Sequence, residues 1–330
     1  MVLFFGDLHL YDGKVASHHD YEKECLDIMD GIVEGCEEIK KGYCANDEDL
    51  YIVFSGDLSG ALAAKRFRTL TFRADVCAWL LRLNELTDGR VYSILGNHDY
   101  SSTDMTELAF FMELGLIKPL DILDIEKDKV RVIGLNYGEL NKEFEVKHGV
   151  LNVAVIHNNV AFNDINMGFY KGNYDYIEET KSLKNVDFIY AGHIHNPTNV
   201  YTKEIYEDKP INLLYLGCPT RPAYEKNMWD YVNIGVVQKG VTNVFTLEVA
   251  PAESVFNLTA IDTDETDETE DRIVTSENVE EDMKAIIGSL LNYDDLKFFS
   301  SIQEQIKMYP NYSDDAKKRA LKYYEDKLMA

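Results

Sequence analysis

The stretch VYSILGNHD, residues 91–99, gives the clearest indication of the fold class of this chain. Its first half is a short apolar run of aliphatic and aromatic side chains, which is typical of a buried strand. Its second half is a polar turn, in which Gly96 is followed by Asn97, His98 and Asp99. A strand that ends in amide, imidazole and carboxylate groups indicates a site at the carboxyl edge of a sheet.

The same pattern recurs along the chain, with helical segments between the apolar runs. Amphipathic spacing predicts helices over Tyr21–Lys40 and Phe67–Glu85. The alternation of apolar runs and helical segments predicts an α/β fold. Runs rich in Val, Ile, Phe and Tyr predict buried strands over Val2–Phe5, Leu50–Phe54, Val91–Leu95, Val130–Leu135, Leu151–Ile156 and Phe188–Ala191.

Residues of metal-binding type follow five of these six strands. Loops at the carboxyl ends of neighbouring strands converge, so these residues can share one cleft. Carboxylates and imidazoles are the ligands expected for Mn(II), Fe(II) or Zn(II). An alternating spacing lets two side chains of one extended segment point the same way. The candidate metal ligands are Asp7, His9, Asp57, Asn97, His157, His193 and His195.

A simpler interpretation treats these segments as ordinary turns and core histidines. A Gly-Asp pair alone is compatible with it, but Gly-Asn-His-Asp and Gly-His-Ile-His are specific patterns, and their joint order after predicted strands favours a metal site. Five of the eight histidines fall in these segments. We expect the other three, His18, His19 and His148, to be surface residues, with His148 a weak candidate for substrate contact.

Over residues 1 to about 225, these motifs resemble the calcineurin-like metallophosphoesterase superfamily, whose signature runs DxH, GD, GNHD, H and GHxH. The resemblance implies a four-layer β-sandwich flanked by helices, and two divalent metal ions that clamp a phosphodiester and activate water. It implies that His98 is a catalytic acid that does not bind metal, and that Asp99 holds the His98 ring. One ion would be held by Asp7, His9, Asp57 and His195, and the other by Asp57, Asn97, His157 and His193, with Asp57 as the bridge.

Within the superfamily, residues 168–172, 215–220 and 312–315 look like SbcD-type DNA repair nucleases and the recombination endonuclease subunit of tailed bacteriophages. This likeness implies a Mn(II)-dependent nuclease that cuts DNA ends and single strands. It also implies a recombination or repair complex with an SMC-like ATPase of the SbcC type. Homodimers are common in that group.

Two other function classes stay open at this stage. A small-molecule or cyclic-nucleotide phosphodiesterase explains the motifs without any partner, and a catalytically silent scaffold for the ATPase explains the tail. Many phosphomonoesterases of the superfamily carry an arginine after the Gly-Asp motif, whereas here Leu58, Ser59, Gly60 and Ala61 follow. Protein phosphatase activity is therefore disfavoured.

The net charge of −25 weakens contact with a polyanion unless positive charge is concentrated locally. Bound divalent metals would supply such charge at the cleft. The clearest basic cluster follows the second motif, and the alternative is a solvated helix face paired with acids. The candidate DNA contacts are Lys65, Arg66, Arg68, Arg73 and Arg221.

The remaining features concern location and domains. No apolar run is long enough to span a membrane, and five cysteines without a CxxC pair fit reduced thiols, so we expect a cytoplasmic protein, in the host cytoplasm if phage-encoded. We predict a catalytic domain with at most a small cap over residues 1–260 and an acidic linker over residues 261–277. A helical segment over residues 278–330 would bind the ATPase, or else fold back onto the catalytic domain.

Overall fold

The computed structural model describes residues 1–15, 18–44, 49–60, 67–99, 106–163, 174–206, 209–223 and 229–256. The helices are α1 (Tyr21–Tyr43), α2 (Leu70–Thr87), α3 (Glu107–Glu113) and α4 (Ala252–Val255). The strands are β1 (Val2–Phe5), β2 (Tyr51–Phe54), β3 (Val91–Ser93), β4 (Lys118–Pro119), β5 (Ile122–Ile125), β6 (Val130–Leu135), β7 (Leu151–Ile156), β8 (Val160–Ala161), β9 (Asp175–Tyr176), β10 (Phe188–Ala191), β11 (Tyr201–Tyr206), β12 (Lys209–Tyr215), β13 (Tyr231–Gln238) and β14 (Val241–Glu248).

Two six-stranded sheets form the body of the protein. The first has the order β14-β13-β1-β2-β3-β4, and the second has the order β11-β12-β10-β7-β6-β5. In the first sheet β1 to β4 run parallel, and in the second sheet β6, β7, β10 and β12 run parallel. Because parallel strands end at the same edge, the loops that follow them are brought together.

Strand β1 explains why the two sheets pack face to face. Leu3 and Phe5 belong to the core on the helix side of the first sheet, whereas Val2 and Phe4 belong to the core between the sheets. The Phe4 ring stacks on Tyr190 of β10, with ring centroids 4.3 Å apart. Strand side chains alternate between the two faces of a sheet, so a strand that is apolar at every position is buried on both sides.

Helices α1 and α2 cover the outer face of the first sheet. Helix α1 begins after Asp20, whose side chain accepts a hydrogen bond from Lys23 N at 3.1 Å. Its buried face repeats at intervals of three and four residues, with Cys25, Ile28 and Ile32 among its members. Helix α2 is capped in the same way by Thr69. The two longest described helices therefore form one layer of the sandwich.

The outer face of the second sheet is covered differently. In the described part of the chain this cover consists of β8, β9 and short 3₁₀ turns, which contribute Phe162, Ile177 and Leu183 to the core. The layers are thus helix, sheet, sheet and a layer of short irregular segments. The predicted α/β sandwich is confirmed, with its described α-helices of more than four residues packed against the first sheet.

All six strands predicted from apolar runs are present, although β2 and β3 are shorter than predicted. The other strands were not predicted, including the long and largely buried β13, and two of them lack a continuous apolar run. Strand β4 is two residues long and ends in Pro119, and β14 lies at a sheet edge with mainly exposed side chains. Short edge strands lack the continuous apolar run that marks a buried strand.

Several predicted segments lie outside the described residues. They are the acidic stretch 261–277, the helical segment 278–330 and the nuclease-like segment 168–172, so these domain assignments stay predictions. No helix among the described residues is long and apolar enough to cross a membrane. All five cysteines are free thiols.

Candidate two-metal centre

The carboxyl edge of both sheets carries the candidate ligands. The first sheet contributes Asp7 and His9 after β1, Asp57 after β2 and Asn97 after β3. The second sheet contributes the three others from the loops after β7 and β10. The structure brings all seven residues into one cluster, and its members are Asp7, His9, Asp57, Asn97, His157, His193 and His195.

Asp57 lies at the middle of the cluster. Its Oδ2 atom lies 3.1 Å from His157 Nε2 and 3.7 Å from His9 Nε2. Its Oδ1 atom accepts a hydrogen bond from His98 N at 2.8 Å. The Asp57 carboxylate therefore faces imidazoles from both sheets, which is the position that a bridging ligand requires.

Asn97 and Asp7 both contact residues of the second sheet. Asn97 Oδ1 lies 3.0 Å from His157 Nε2 and 2.8 Å from His193 Nδ1. Asp7 Oδ2 accepts a hydrogen bond from His193 N at 2.7 Å and lies 4.0 Å from His195 Nε2. Asn97 and Asp7 thus place oxygen donors beside the imidazole nitrogens of the centre.

Backbone carbonyl groups fix the tautomers of two imidazoles. His157 Nδ1 lies 2.8 Å from Ser55 O, and His9 Nδ1 lies 2.5 Å from Gly60 O. Since a carbonyl oxygen can only accept, each Nδ1 atom carries a proton, and each Nε2 atom is directed at the centre. Such outer hydrogen bonds orient histidines that bind metals.

A buried atom without a partner tests whether these residues fit a cation. His9 is 1% exposed, and its Nε2 atom has no hydrogen-bond partner among the described residues. Potential ligand atoms of Asp7, Asp57 and His157 all lie within 4.8 Å of one another. A buried lone pair surrounded by carboxylate oxygens and imidazole nitrogens fits a divalent transition metal.

Burial keeps three of the imidazoles neutral. It lowers the pKa of His9 and of His193 to about 4, and it holds the pKa of His195 well below its ordinary range. A metal ion binds the neutral form of imidazole. The protein therefore presents these side chains in the binding form at neutral pH.

Burial shifts the pKa of the carboxyl groups in the opposite direction. Burial, together with the charge of Asp57, raises the pKa of Asp7 to about 7 and that of Asp99 to about 8. Burial alone would lower the pKa of His157, but Asp7 and Asp57 outweigh it and raise the value to about 9. Burial opposes ionisation of Asp57 as well, and the positive charge of His157 is the largest effect that keeps its pKa low. Burial therefore opposes the charged form of these carboxyl groups, and a bound cation would favour it.

The backbone is bent into the left-handed region at three of the ligands. The φ angle is 45° at His9, 46° at Asp57 and 75° at His193. Such angles are uncommon for residues other than glycine and cost of order 1–3 kcal/mol each. Two glycines leave room for the carboxylates of Asp57 and Asp7. A Cβ atom at Gly96 would lie 2.0 Å from Asp57 Oδ1, and one at Gly192 would lie 2.2 Å from Asp7 Oδ1.

The sequence profile of the family described as calcineurin-like phosphoesterase (Metallophos) matches residues 1–197. The chain belongs to this family. The matched part includes every loop of the centre, and members of the family bind two divalent metals. No curated protein sequence matches the chain.

Solved structures with low similarity were also found. A 5'-nucleotidase precursor from Thermus thermophilus has 16% identity and a TM-score of 0.39, with 78% of this chain and 56% of that chain covered. The sulfate thiohydrolase SoxB of Thermus thermophilus has 11% identity and a TM-score of 0.39, with 87% and 60% covered. A single mutant of Vps29 from Entamoeba histolytica has 14% identity and a TM-score of 0.28, with 76% and 99% covered. The chain spans less than two thirds of the first two proteins, and scores this low carry no argument about activity.

Members of the calcineurin-like phosphoesterase family are metal-dependent phosphoester hydrolases. Two bound cations would supply the positive charge that draws in and polarises a phosphoryl group, and would activate the attacking water. His98 lies beside the ligands, with its ring centroid 5.0 Å from that of His9, and its side chain is only partly buried. From there its imidazole can donate a hydrogen bond or a proton to an oxygen of the substrate.

Asp99 does not hold the His98 ring, contrary to the sequence-based expectation. Its Oδ2 atom accepts hydrogen bonds from Asp57 N at 2.7 Å and from Gly96 N at 2.9 Å. Its Oδ1 atom is buried without a hydrogen-bond partner in the described part of the chain. Asp99 therefore fastens the second motif to the third and supports the backbone that carries Asp57.

Two of the predicted DNA contacts are wrong. Arg73 is buried and forms a two-pronged ion pair with Glu107, with N–O distances of 3.0 and 2.7 Å. Arg221 is 3% exposed and donates from Nη2 to Ala250 O at 2.6 Å. Arginine stems pack well in a core when the guanidinium finds fixed acceptors, so sequence proximity to a motif was a poor guide. Arg68 is exposed, and Lys65 and Arg66 lie outside the described residues.

The histidines outside the motifs behave in two ways. His19 and His148 are exposed, in agreement with the expectation. His18 is buried, and its Nε2 atom lies 3.3 Å from Glu24 Oε2, so the prediction of a surface position is wrong. Its ring packs against Tyr21, which is close in sequence, and against Phe256, which is distant.

Two residues near the centre were missed by the sequence interpretation. Tyr137 follows β6, the one predicted strand without a ligand in its loop, and its ring centroid lies 5.9 Å from that of His193. Cys218 follows β12, and its sulfur lies near His9 and His195. The available signal was position, since both residues follow parallel strands as the ligands do, but neither belongs to one of the five metal-binding motifs.

We expect His98→Ala and Asp57→Asn to separate catalysis from metal binding. His98→Ala removes the proton donor but no ligand, so kcat on a generic phosphodiester should fall about 100-fold to 10,000-fold while bound metal is unchanged. Asp57→Asn removes the central negative charge and should reduce bound metal as well. Metal content by elemental analysis and kcat by a colorimetric assay decide the point.

His19→Ala is the matched control, because this exposed histidine lies outside the cluster and should leave both quantities unchanged. Loss of metal from His98→Ala would contradict the assignment of His98 as a residue that does not bind metal.

Proposed function

We propose that the protein is a nuclease that hydrolyses phosphodiester bonds in DNA. The observation that carries the proposal is the Asp57-centred cluster, with the imidazole of His98 beside it. The positions after Asp57 support a diester substrate, because Leu58 and Ser59 are buried and neither offers a positive charge to a terminal phosphate. A phosphodiester carries one negative charge less than a terminal phosphate, so it has less need of such a charge.

Tyr137 supports a substrate that carries bases. The side chain is 42% exposed, and its ring lies 5.9 Å from the His193 ring and 6.4 Å from the His157 ring, measured between centroids. Its backbone N donates to Leu95 O at 2.8 Å, which ties it to the loop that carries Asn97. Bases of single-stranded nucleic acids stack on exposed aromatic rings of this kind.

The charge of the chain shapes how DNA would bind. At a net charge of −25, and with Arg73 and Arg221 buried in ion pairs and hydrogen bonds, long-range attraction of a polyanion is weak. Positive charge at the centre would come from Mn(II) or another divalent cation. We therefore propose that DNA is engaged mainly at the centre, with further contacts supplied by a partner.

The proposed partner is an SMC-like ATPase, bound through residues 278–330, and the support for it is the resemblance of the tail. We expect the full chain to co-purify with such an ATPase and a chain ending at residue 260 to lose it. Retention of the ATPase by the shortened chain would remove the tail from the interface.

A DNA cleavage assay tests the proposal directly. The full chain with Mn(II) should cut labelled single-stranded DNA and duplex ends, and His98→Ala should abolish cutting. Cyclic nucleotides and a generic diester run beside them distinguish the alternatives. Cleavage of these small diesters with no cleavage of DNA would replace the nuclease by a small-molecule phosphodiesterase.

Replacing Tyr137 should affect DNA and abasic DNA differently. Stacking of one base on an aromatic ring contributes about 1–3 kcal/mol, so Tyr137→Ala should raise the KM for single-stranded DNA about 5-fold to 100-fold with a smaller change in kcat. On an oligonucleotide made of abasic units the variant and the wild type should have the same KM. Tyr137→Phe keeps the ring and should keep the wild-type KM.

Tyr176→Ala removes another exposed tyrosine, on β9, and controls for loss of surface aromatic area. An equal rise in KM on abasic and normal DNA would show that Tyr137 acts on the metal centre and not on bases.

A further inference from the structure

Cys218 lies in the loop after β12 and has no exposed surface. Its backbone N donates to His195 O at 2.8 Å, which joins this loop to the one carrying the last two candidate ligands. Its Sγ atom, a nitrogen of His9 and a nitrogen of His195 all lie within 4.8 Å of one another. A thiol from outside the five metal-binding motifs therefore borders the ligands of one metal position.

The buried His9 Nε2 atom gives independent support for a ligand at this place. The Nδ1 atom of the same ring is taken by Gly60 O, whereas Nε2 has no hydrogen-bond partner among the described residues. This lone pair belongs to the side chain that lies close to both Cys218 and His195. A dry pocket that joins a free imidazole nitrogen with a thiol is suited to a metal ion.

We propose that the Cys218 sulfur is a ligand of the ion held by Asp7, His9, Asp57 and His195. On binding, a sulfur–metal bond forms and the S–H bond breaks, with the proton released to solvent. The oxidation states of sulfur and metal do not change. The inference rests on the metal centre and is independent of whether DNA is the substrate.

A sulfur ligand changes which metal this position prefers. Thiolate favours borderline and soft cations such as Zn(II) and Co(II), whereas Mn(II) prefers oxygen donors. The position made by Asn97, His157 and His193 with Asp57 includes no sulfur ligand. The two positions of the centre would therefore differ in metal preference, with the sulfur-bearing one binding Zn(II) or Fe(II) and the other remaining compatible with Mn(II).

The competing explanation is a plain buried thiol. Cys218 Sγ lies 3.6 Å from Thr220 Oγ1, and the hydroxyl hydrogen of Thr220 is directed at Leu8 O, 2.6 Å away. The thiol would then donate weakly to Thr220 and contact no ion. Cys25 provides a comparison, since it is equally buried and its sulfur lies 3.6 Å from Tyr11 O.

Cobalt substitution of the full chain separates the two explanations. Titration with Co(II) alone, without oxygen, should produce visible ligand-field bands and a near-ultraviolet sulfur-to-cobalt charge-transfer band. Cys218→Ser should lose the charge-transfer band and keep the ligand-field bands, and Cys25→Ser should keep both. Ligand-field bands without charge transfer in the wild type would overturn the proposal.

A second measurement needs no variant and so does not depend on how Cys218→Ser folds. X-ray absorption at the zinc edge of the zinc-loaded wild type should reveal a sulfur neighbour at about 2.3 Å. A shell made only of nitrogen and oxygen would overturn the proposal. Both readouts are independent of DNA cleavage, so a protein that binds cobalt through sulfur yet fails to cut DNA would contradict the nuclease function alone.

Discussion

Three carboxylates are buried within one dry cluster, and the rest of the site is arranged around that constraint. Asp7, Asp57 and Asp99 are each at most 4% exposed. Burying like charges together is costly unless hydrogen bonds and opposite charges offset them. Each carboxylate accepts hydrogen bonds from backbone N–H groups: Asp7 from His193, Asp57 from His98, and Asp99 from Gly96 and Asp57. The imidazole of His157 carries the main opposing charge. Divalent cations complete this compensation, which is why the cluster is built from ligands.

The sandwich makes such a cluster possible because it supplies loops from two parallel sheets at one edge. The core between the sheets, anchored by contacts such as Phe4 on Tyr190, fixes the relative position of the two sets of loops. Left-handed backbone at His9, Asp57 and His193 is retained because a buried strand holds the start of each loop in place. Asp99 adds a direct link between the second and third motifs. The relative positions of the candidate ligands therefore depend on how the two sheets pack together.

The two buried arginines near the motifs stabilise the fold, because their side chains are paired inside the protein. Arg73 is committed to Glu107, and Arg221 to the carbonyl of Ala250. In the proposed function, an acidic chain with these arginines buried would draw its affinity for phosphate from bound cations and from stacking surfaces such as Tyr137. Contacts at the centre itself would then contribute more to substrate binding than long-range electrostatic attraction. Salt screening and the repulsion between the acidic chain and a polyanion weaken that attraction.

The α/β class, the six buried strands and the seven ligand residues could be predicted from the amino-acid sequence, because apolar runs and metal-binding residue types leave local signals. The roles of Asp99, Arg73, Arg221 and His18 could not, since each has a partner that is distant in sequence or belongs to the backbone, Phe256 in the case of His18. Tyr137 and Cys218 lie outside the five metal-binding motifs and approach the centre because β6 and β12 run parallel to the ligand-bearing strands. Contacts across two sheets depend on strand order and register, which are set only when the whole chain has folded.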